Sequence, residues 1–454
     1  MAVTCDFKAL ADLLPVRVIM DAAAMAAYRE DRCLLTAAGF PGAVVRARSA
    51  DDVSTALRGA SSAGVSVVPR GAGSGLAGAA NAIDGCVVLS LERMNKIIEI
   101  DSVARTATVE PGVLNSDLDL AARAHGLFYA PDPGSRSIST VGGNIATNAG
   151  GMCCVKYGVT SENVLSLKAT LASGETFETG RRTRKDVAGL DLTRLLVGSE
   201  GTLAVVVEAC VKLRPVPAGR STVVATFPSM AAATSTVLAL SRCVTPAAVE
   251  VMDLVTIRAV NRMTQMGIDE QAAAVLLIVC DGNQAPAEVS VCVDAAKQNG
   301  ADDVFSTDDA DEGHALMEAR RVALTALERQ GTVLLDDVCV PVHRLPELIA
   351  AIGSVAKRRD VTVATFGHAA DGNLHPTVVY DASDRDAAQH AREAFSDIVE
   401  AAIALGGTIS GEHGIGMLKL PFLGQQCGSL ERDLMHRIRQ AFDPAGILNP
   451  TRGY

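Results

Sequence analysis

In the first half of the chain, short apolar runs alternate with amphipathic stretches. Apolar runs at 43–49 and 65–70 flank a stretch with helical periodicity, which predicts a strand, a helix and a strand. Ser49 or Asp51 is suited to cap the helix start, and Gly64 is suited to end it. Similar patterns predict further strands at 86–91, 97–101, 106–111, 164–173 and 201–215, and a helix at 113–125. The first 215 residues are therefore expected to form an α+β unit.

The stretch LRPVPAG (213–219) is rich in Pro and Gly and predicts a domain boundary. Strand and helix patterns alternate again beyond it, which indicates a second, mostly antiparallel α+β domain. A helix at 434–442 precedes the short tail ILNPTRGY. We therefore expect a first domain over 1–215, a second over 216–408, and a C-terminal segment over 409–454 that packs on the first.

Composition narrows the class of protein. A chain of 454 residues is too long for one core, and 48% apolar with 20% charged residues is typical of globular proteins. The net charge of −11 argues against a nucleic-acid surface. The longest apolar run is about half of the roughly 20 residues that a membrane helix needs. The start, MAVTCDFKALADLL, lacks a leader pattern, and the eleven cysteines form no C-x-x-C pair. A cytoplasmic protein with reduced thiols and no membrane span is expected.

Two glycine-rich stretches indicate a bound cofactor. The first, PRGAGSGLAG (69–78), follows a predicted strand, and its glycines let backbone N–H groups approach a pyrophosphate, with Arg70 beside them. A flexible turn and an NAD-binding Rossmann loop, with Glu92 as the ribose-binding acid, are the alternatives. The second stretch, PDPGSRSISTVGGNIATNAGG (131–151), is suited to wrap a large polar cofactor, because loops of this length are uncommon unless functional.

Together with VGSEGTLAVVVEACVKLRP (197–215), these stretches resemble the FAD-binding domain of the vanillyl-alcohol oxidase/p-cresol methylhydroxylase (PCMH) superfamily. Within it, the chain resembles the branch that holds the FAD-linked subunit of glycolate oxidase, D-lactate dehydrogenase and D-2-hydroxyglutarate dehydrogenase. The resemblance extends from Pro41 to the tail ILNP (447–450). It implies an α+β fold: a two-subdomain PCMH-type FAD-binding domain, a ferredoxin-like antiparallel α+β cap domain for substrate, and a C-terminal segment that returns to the FAD domain.

The same resemblance implies which residues contact FAD. Some relatives hold flavin covalently through a His in the first loop, and this loop has none, so non-covalent FAD is expected. The implied contacts are Pro69, Arg70, Gly71, Ala72, Gly73, Ser74, Gly75, Leu76, Gly78, Pro131, Asp132, Gly134, Ser139, Gly142, Gly143, Asn144, Thr147, Asn148, Glu200, Gly201 and Asn449.

Late in the chain, GHAADGNLHP (367–376) and SGEHGIG (410–416) bring together residue types that bind metals. Two imidazoles and a carboxylate suit Zn²⁺, Mn²⁺ or Fe²⁺. The spacing of His368 and His375 fits one helix face, but the intervening Asp-Gly-Asn favours a loop or strand-turn. A lone pair of this kind is more often structural, and the neighbouring Glu412 and His413 favour a metal, with Zn²⁺ first.

The resemblance assigns His368, His375 and Glu412 as metal ligands and His413 as the catalytic base. A 2-hydroxy acid can chelate a metal through its hydroxyl and carboxylate, and the metal then acidifies the hydroxyl. The helical stretch MEARRVAL (317–324) supplies Arg320 for the substrate carboxylate. A solvated charge run on that helix is the alternative.

These features predict FAD- and metal-dependent oxidation of a small D-2-hydroxy acid to the 2-oxo acid. LLDDVCVP (334–341) lacks the Lys, and Thr377 replaces the Asn, that D-2-hydroxyglutarate dehydrogenases present, so D-lactate or glycolate is favoured. The alternatives are D-2-hydroxyglutarate dehydrogenase, a non-catalytic flavoprotein subunit and an NAD-dependent Rossmann enzyme. A quinone, a cytochrome or an electron-transferring flavoprotein is the expected electron acceptor, and a homodimer or a redox-subunit complex is the expected assembly.

Overall fold

The computed structural model describes residues 7–14, 17–33 and 35–454. The first six residues, on which the expected lack of a leader partly rests, lie outside this range. The strands are β1 (Val18–Ile19), β2 (Ala43–Arg46), β3 (Val67–Arg70), β4 (Val87–Ser90), β5 (Ile97–Asp101), β6 (Thr106–Val109), β7 (Leu127–Phe128), β8 (Val164–Thr170), β9 (Thr176–Gly180), β10 (Val205–Lys212), β11 (Arg214–Pro215), β12 (Arg220–Phe227), β13 (Ala248–Asp253), β14 (Ala274–Asp281), β15 (Asp303–Thr307), β16 (Thr332–Leu335), β17 (Val338–Cys339), β18 (Thr362–His368) and β19 (Asn373–Tyr380).

The helices connect these strands. They are α1 (Phe7–Leu13), α2 (Ala22–Ala26), α3 (Ala50–Ala63), α4 (Asn115–Arg123), α5 (Val141–Thr147), α6 (Cys154–Tyr157), α7 (Thr160–Asn163), α8 (Leu192–Leu196), α9 (Met230–Leu240), α10 (Leu254–Thr264), α11 (Ala285–Gln298), α12 (Ala310–Arg321), α13 (Ala323–Glu328), α14 (Leu345–Arg359), α15 (Arg385–Ala404), α16 (Leu423–Gln426) and α17 (Ser429–Phe442). Single 3₁₀ turns occur at Val342–Arg344, Ala369–Asp371 and Leu420–Phe422.

The chain divides into two compact units. Unit 1 comprises residues 1–150, 158–216 and 412–454, and unit 2 comprises residues 151–157 and 217–411. Each unit therefore contains pieces of chain that are distant in sequence, including a short excursion at 151–157 into the second unit.

Unit 1 is built on two main sheets, ordered β1-β2-β4-β3 and β5-β6-β10-β8-β9. The strand–helix–strand pattern at 43–70 is confirmed: Ser49 caps α3 by accepting the Asp52 N–H, and Gly64 ends it in the left-handed conformation. The C-terminal segment also returns to this unit, as expected. Leu448 forms a parallel β-bridge with Val67, the first residue of β3. Buried apolar side chains of α3, β3, β4 and this segment share one core.

Unit 2 is built on an antiparallel sheet ordered β15-β12-β14-β13-β18-β19-β16, with β17 paired to β19. Every residue of β14 is buried, which explains its continuous apolar run. Helices α10 and α13 pack their apolar faces on this sheet in one core. The expected antiparallel α+β domain is thus observed, and its β18–β19 hairpin carries both candidate metal histidines.

Two expectations differ in detail from the structure. The apolar run 201–215 is not one strand, because Glu200 and Gly201 adopt positive φ and form a turn before β10 begins at Val205. The glycine-rich stretch 131–151 is not entirely loop, because Thr140 caps the short helix α5. In the first place, positive-φ turn residues interrupt the apolar run, and in the second, the Thr140 cap begins a helix within the glycine-rich stretch.

Among the described residues, none of the helices has the length and apolar character required to cross a membrane. None of the cysteines among the described residues forms a disulfide bond.

Asp253 is expected to stabilise unit 2 by joining two elements. Its half-buried carboxyl caps α10 through Thr256 and also accepts the Thr365 N–H of β18, at 2.9 and 2.8 Å. Asp253→Ala should lower the free energy of unfolding by ~2 kcal/mol, because it removes a helix cap and also leaves the N–H of the buried Thr365 without its acceptor. Asp309→Ala removes only the exposed cap of α12 and should cost about 1 kcal/mol. Denaturant titrations followed by circular dichroism measure both, and equal losses would contradict the prediction.

Candidate functional site

The first glycine-rich stretch is a tight loop that follows β3. Arg70 is buried, and its guanidinium donates to the carbonyls of Ala80 and Glu30, at 3.3 and 2.8 Å. Gly73 has positive φ, and a Cβ there would collide with that guanidinium. Arg70 therefore braces the loop backbone from within. The sequence predicted Arg70 at this site but not this bracing role.

The second stretch packs directly on the first. A Cβ on Gly71 would lie 2.5 Å from Thr140 Oγ1, the group that caps α5. A Cβ on Gly142 would lie 2.5 Å from the Pro111 side chain. Glycine is required at both positions because the neighbouring groups leave no room for a side chain. The two stretches thus form one continuous surface within unit 1.

Glu200, Gly201 and Asn449 join the same surface. The Glu200 N–H donates to the Ala146 carbonyl of α5 at 2.8 Å, and a Cβ on Gly201 would lie 3.0 Å from the Pro69 ring. Asn449 Nδ2 donates to the Glu200 carbonyl at 2.7 Å. The structure therefore brings four separate pieces of the predicted cofactor site together in unit 1.

Three of the predicted cofactor residues carry buried polar atoms whose hydrogen-bonding needs are unmet. Within the described part of the chain, Ser139 Oγ, Asn144 Nδ2 and Asn449 Oδ1 are buried and have no hydrogen-bond partner. Buried polar groups are rarely left without partners in folded proteins. A large polar ligand such as FAD would supply both donors and acceptors to these atoms, so the residues present fit that cofactor.

The candidate metal histidines lie together in unit 2. His368 ends β18, His375 lies opposite on β19, and both are buried. Their ring centroids are 5.2 Å apart with the planes at 85°. The expected strand-turn arrangement is observed, since the residues between them form a 3₁₀ turn. Two buried imidazoles this close fit a shared metal ion.

Glu250 orients this pair and was not singled out from the sequence. It lies on β13 directly across from His368, and its fully buried Oε1 is 2.6 Å from His368 Nδ1. A carboxylate at Nδ1 favours the tautomer that presents Nε2 as the ligand atom. The only available signal was a Glu inside the apolar run AVEVMD (248–253).

Arg320 is buried on α12 and shares the same carboxylate. Its Nη2 lies 2.7 Å from Glu250 Oε2, and its guanidinium lies 4.7 Å from the centroid of the Phe366 ring. Burial alone would raise the pKa of Glu250, but its interactions with His368 and Arg320 hold that pKa below its usual value. Arg320 is therefore part of a buried charge network and not of a solvated charge run.

A second buried carboxylate supports the hairpin from the other side. Asp337 accepts from Asn373 Nδ2 and from Ser410 Oγ, both at 2.8 Å. Its Oδ1 also lies 3.8 Å from His375 Nδ1. The sequence placed Asn373 beside the histidines but did not indicate Asp337 as its partner.

The remaining candidate residues, Glu412 and His413, belong to unit 1 and begin where the chain leaves unit 2 at Gly411. Glu412 Oε1 and His413 Nε2 are 3.5 Å apart. The ligand set that combines Glu412 with the two histidines of unit 2 stays a prediction, as does the role of His413 as the base.

The family models and the relatives that match this chain describe the same kind of protein. Residues 41–180 match the model described as FAD binding domain, and residues 216–452 match that of FAD linked oxidases, C-terminal domain. The chain is 42% identical to the glycolate oxidase subunit GlcD of Bacillus subtilis, over 91% of this chain and 89% of that protein. It is 35% identical to a D-lactate dehydrogenase of Archaeoglobus fulgidus, over 90% of each. Its fold is similar to that of p-cresol methylhydroxylase solved with substrate, with a TM-score of 0.84 at 18% identity, over 99% of this chain and 96% of that chain.

Removal of Glu250 should destabilise unit 2 strongly. Glu250→Ala takes the carboxylate away from a buried guanidinium and a buried imidazole, and breaking such a pair costs ~3–5 kcal/mol. Glu347→Ala, which breaks an exposed ion pair with Arg344, should leave stability almost unchanged. Thermal and denaturant unfolding compare the two variants. A Glu250→Ala protein as stable as the Glu347→Ala protein would refute the buried network.

Proposed function

This chain belongs to the family of FAD-linked oxidases, and from that premise we propose that it oxidises a small D-2-hydroxy acid to the 2-oxo acid. D-lactate and glycolate are the favoured substrates. The observation that supports this most is the buried His368–His375 pair beside Glu250 and Arg320. Relatives named glycolate oxidase subunit and D-lactate dehydrogenase support the substrate class.

The proposed roles of the residues follow from their chemistry. Bound FAD supplies the hydride acceptor, and a bound divalent metal, Zn²⁺ first, would polarise the substrate hydroxyl. His368, His375 and Glu412 are proposed to hold the metal, and Glu250 to orient His368. His413 is proposed to take the hydroxyl proton. The FAD-binding family match supports FAD over the NAD-dependent alternative.

The preference for a short substrate has a structural argument. Thr377, which replaces an Asn expected for 2-hydroxyglutarate enzymes, is fully buried, and its hydroxyl donates to the His375 carbonyl at 3.1 Å. The Thr377 hydroxyl is therefore used in a hydrogen bond to the hairpin backbone. An Asn side chain at this position would be longer than Thr. Arg320 is proposed to receive the single carboxylate, because it already lies beside the partner of His368.

The electron acceptor is proposed to be a quinone, a cytochrome or an electron-transferring flavoprotein. A relative with 42% identity is named as a subunit, which supports a role within a redox complex. A homodimer and a non-catalytic subunit are the alternative assemblies, and the intact histidine pair supports a catalytic chain.

Anaerobic reduction of the bound flavin tests the proposed reaction directly. The purified protein should show an oxidised-flavin spectrum that bleaches with D-lactate or glycolate, and more slowly with D-2-hydroxyglutarate. L-lactate is the matched control and should leave the spectrum unchanged. A yellow protein that no 2-hydroxy acid bleaches would reject the substrate class. A colourless protein that cannot be reconstituted would reject FAD as the cofactor.

Metal removal tests the proposed dependence of the reaction on a divalent metal. Dialysis against a chelator should abolish flavin reduction while FAD stays bound, and Zn²⁺ or Mn²⁺ should restore it. His375→Ala should lower the metal content per chain in elemental analysis, since it removes one proposed ligand. His390→Ala, on the exposed side of α15, should retain the wild-type content. Undiminished flavin reduction by metal-free protein would contradict a catalytic metal.

A further inference from the structure

In unit 1, the stretch that follows His413 is held from one side by a single buried carboxylate. Glu200 Oε1 accepts the N–H of Ile415 at 2.5 Å, and Oε2 accepts the N–H of Gly416 at 2.9 Å. Hydrogen bonds to a carboxylate are stronger than those between neutral groups. The Glu200 side chain therefore fixes the backbone two and three residues beyond the candidate base.

The same stretch is held from the other side by the first glycine-rich loop. The carbonyl of Ala77 accepts the N–H groups of Met417 and Leu418, at 2.9 and 3.1 Å. Residues 415–418 thus donate four successive backbone N–H groups to partners in the predicted cofactor site. The segment after His413 is anchored to unit 1 and not loosely connected to it.

The glycines of SGEHGIG make this close approach possible. Gly414 has φ of +85°, and a Cβ there would lie 2.6 Å from Glu200 Oε1. Gly416 also has positive φ, and a Cβ there would collide with the Ala77 carbonyl. Both glycines are therefore required by the anchor itself, because any side chain would displace one of its two acceptors.

Glu200 is itself rigidly placed. Its φ is +51°, and its N–H and carbonyl bond to Ala146 and Asn449 respectively, within the predicted FAD surface. Burial raises the pKa of its carboxyl to about 7, opposed by the N–H donors of Ile415 and Gly416 and by the charge of Arg452. A buried polar network whose members are satisfied makes the surrounding structure rigid.

We propose that Glu200 is a positioning residue, which sets the place of His413 by anchoring residues 415 and 416 to the FAD-binding surface. The inference rests on the proposed function in one respect, the role of His413 as the base. The anchor itself is a property of unit 1 and is measurable without any substrate.

Hydrogen exchange on the FAD-loaded protein measures the anchor. Glu200→Ala should accelerate exchange of the amides in a peptide spanning 412–418 by ten-fold or more, because two donors lose their acceptor. Glu200→Gln keeps one side-chain carbonyl and should give a smaller acceleration. Asp52→Ala is the matched control: this buried carboxyl in unit 1 accepts the Arg48 N–H at 2.8 Å, so its loss should affect residues 48–52 and spare 412–418.

The rate of flavin reduction by D-lactate or glycolate then measures how loss of the anchor affects the proposed reaction. Glu200→Ala should slow reduction at saturating substrate by ten-fold or more, with partial rescue in Glu200→Gln, each rate being measured on protein reconstituted to full FAD occupancy. Gly414→Ala tests the same contact from the opposite side and should reproduce both effects. It also provides the exchange measurement if Glu200→Ala does not fold.

The outcomes separate the two proposals. Unchanged exchange over 412–418 in Glu200→Ala and Gly414→Ala would overturn the anchor. Accelerated exchange with undiminished flavin reduction would overturn the positioning of His413. Accelerated exchange in the variants, with no reduction of the wild-type flavin by any 2-hydroxy acid, would support the anchor and reject the proposed function.

Discussion

The carboxylate of Glu250 is fully buried and lies within contact of two cationic or protonatable groups. An ionised carboxylate in such a place is tolerated only when opposite charges and hydrogen bonds replace the lost water. His368 and Arg320 fulfil this condition from β18 and α12, respectively. The requirement therefore fixes three elements of unit 2 at one point. It also fixes which nitrogen of His368 remains for a ligand.

Unit 1 depends on a different constraint, which is the close approach of backbone to backbone. Gly71 and Gly142 bring the two glycine-rich stretches against Thr140 and Pro111 at distances that exclude a Cβ. This packing leaves polar atoms of Ser139 and Asn144 buried without partners in the described part of the chain. A surface of this kind is complete only with its ligand, since unmet buried polar atoms are unfavourable. Ligand-free unit 1 should therefore be less stable than FAD-loaded unit 1.

Features that depend on local sequence could be predicted, and features that depend on strand register could not. The caps of α3 at Ser49 and Gly64 and the turn between the two histidines follow from residues adjacent in sequence. Glu250 is more than a hundred residues from His368, and only the β13–β18 register makes them neighbours. The hydrophobic pattern of a strand indicates which of its faces is buried, but it does not identify which distant strand lies beside it. The resemblance to a flavoprotein family indicated the histidines but not the carboxylate that orients one of them.

The two buried glutamates, Glu250 and Glu200, differ in pKa because their surroundings differ. Interactions with His368 and Arg320 hold the pKa of Glu250 low, so its carboxylate stays ionised beside the Arg320 guanidinium. For Glu200, burial outweighs the neighbouring N–H donors and Arg452, and the pKa rises to about 7. A raised carboxyl pKa means that the folded state binds more protons than the unfolded one between about pH 4.5 and 7. The contribution of Glu200 to stability is therefore lost as pH rises through this window. A carboxylate paired with a cation supports stability under neutral conditions, whereas ionisation of the buried Glu200 decreases stability. The N–H groups of Ile415 and Gly416, which the two Glu200 oxygens accept, offset part of that cost.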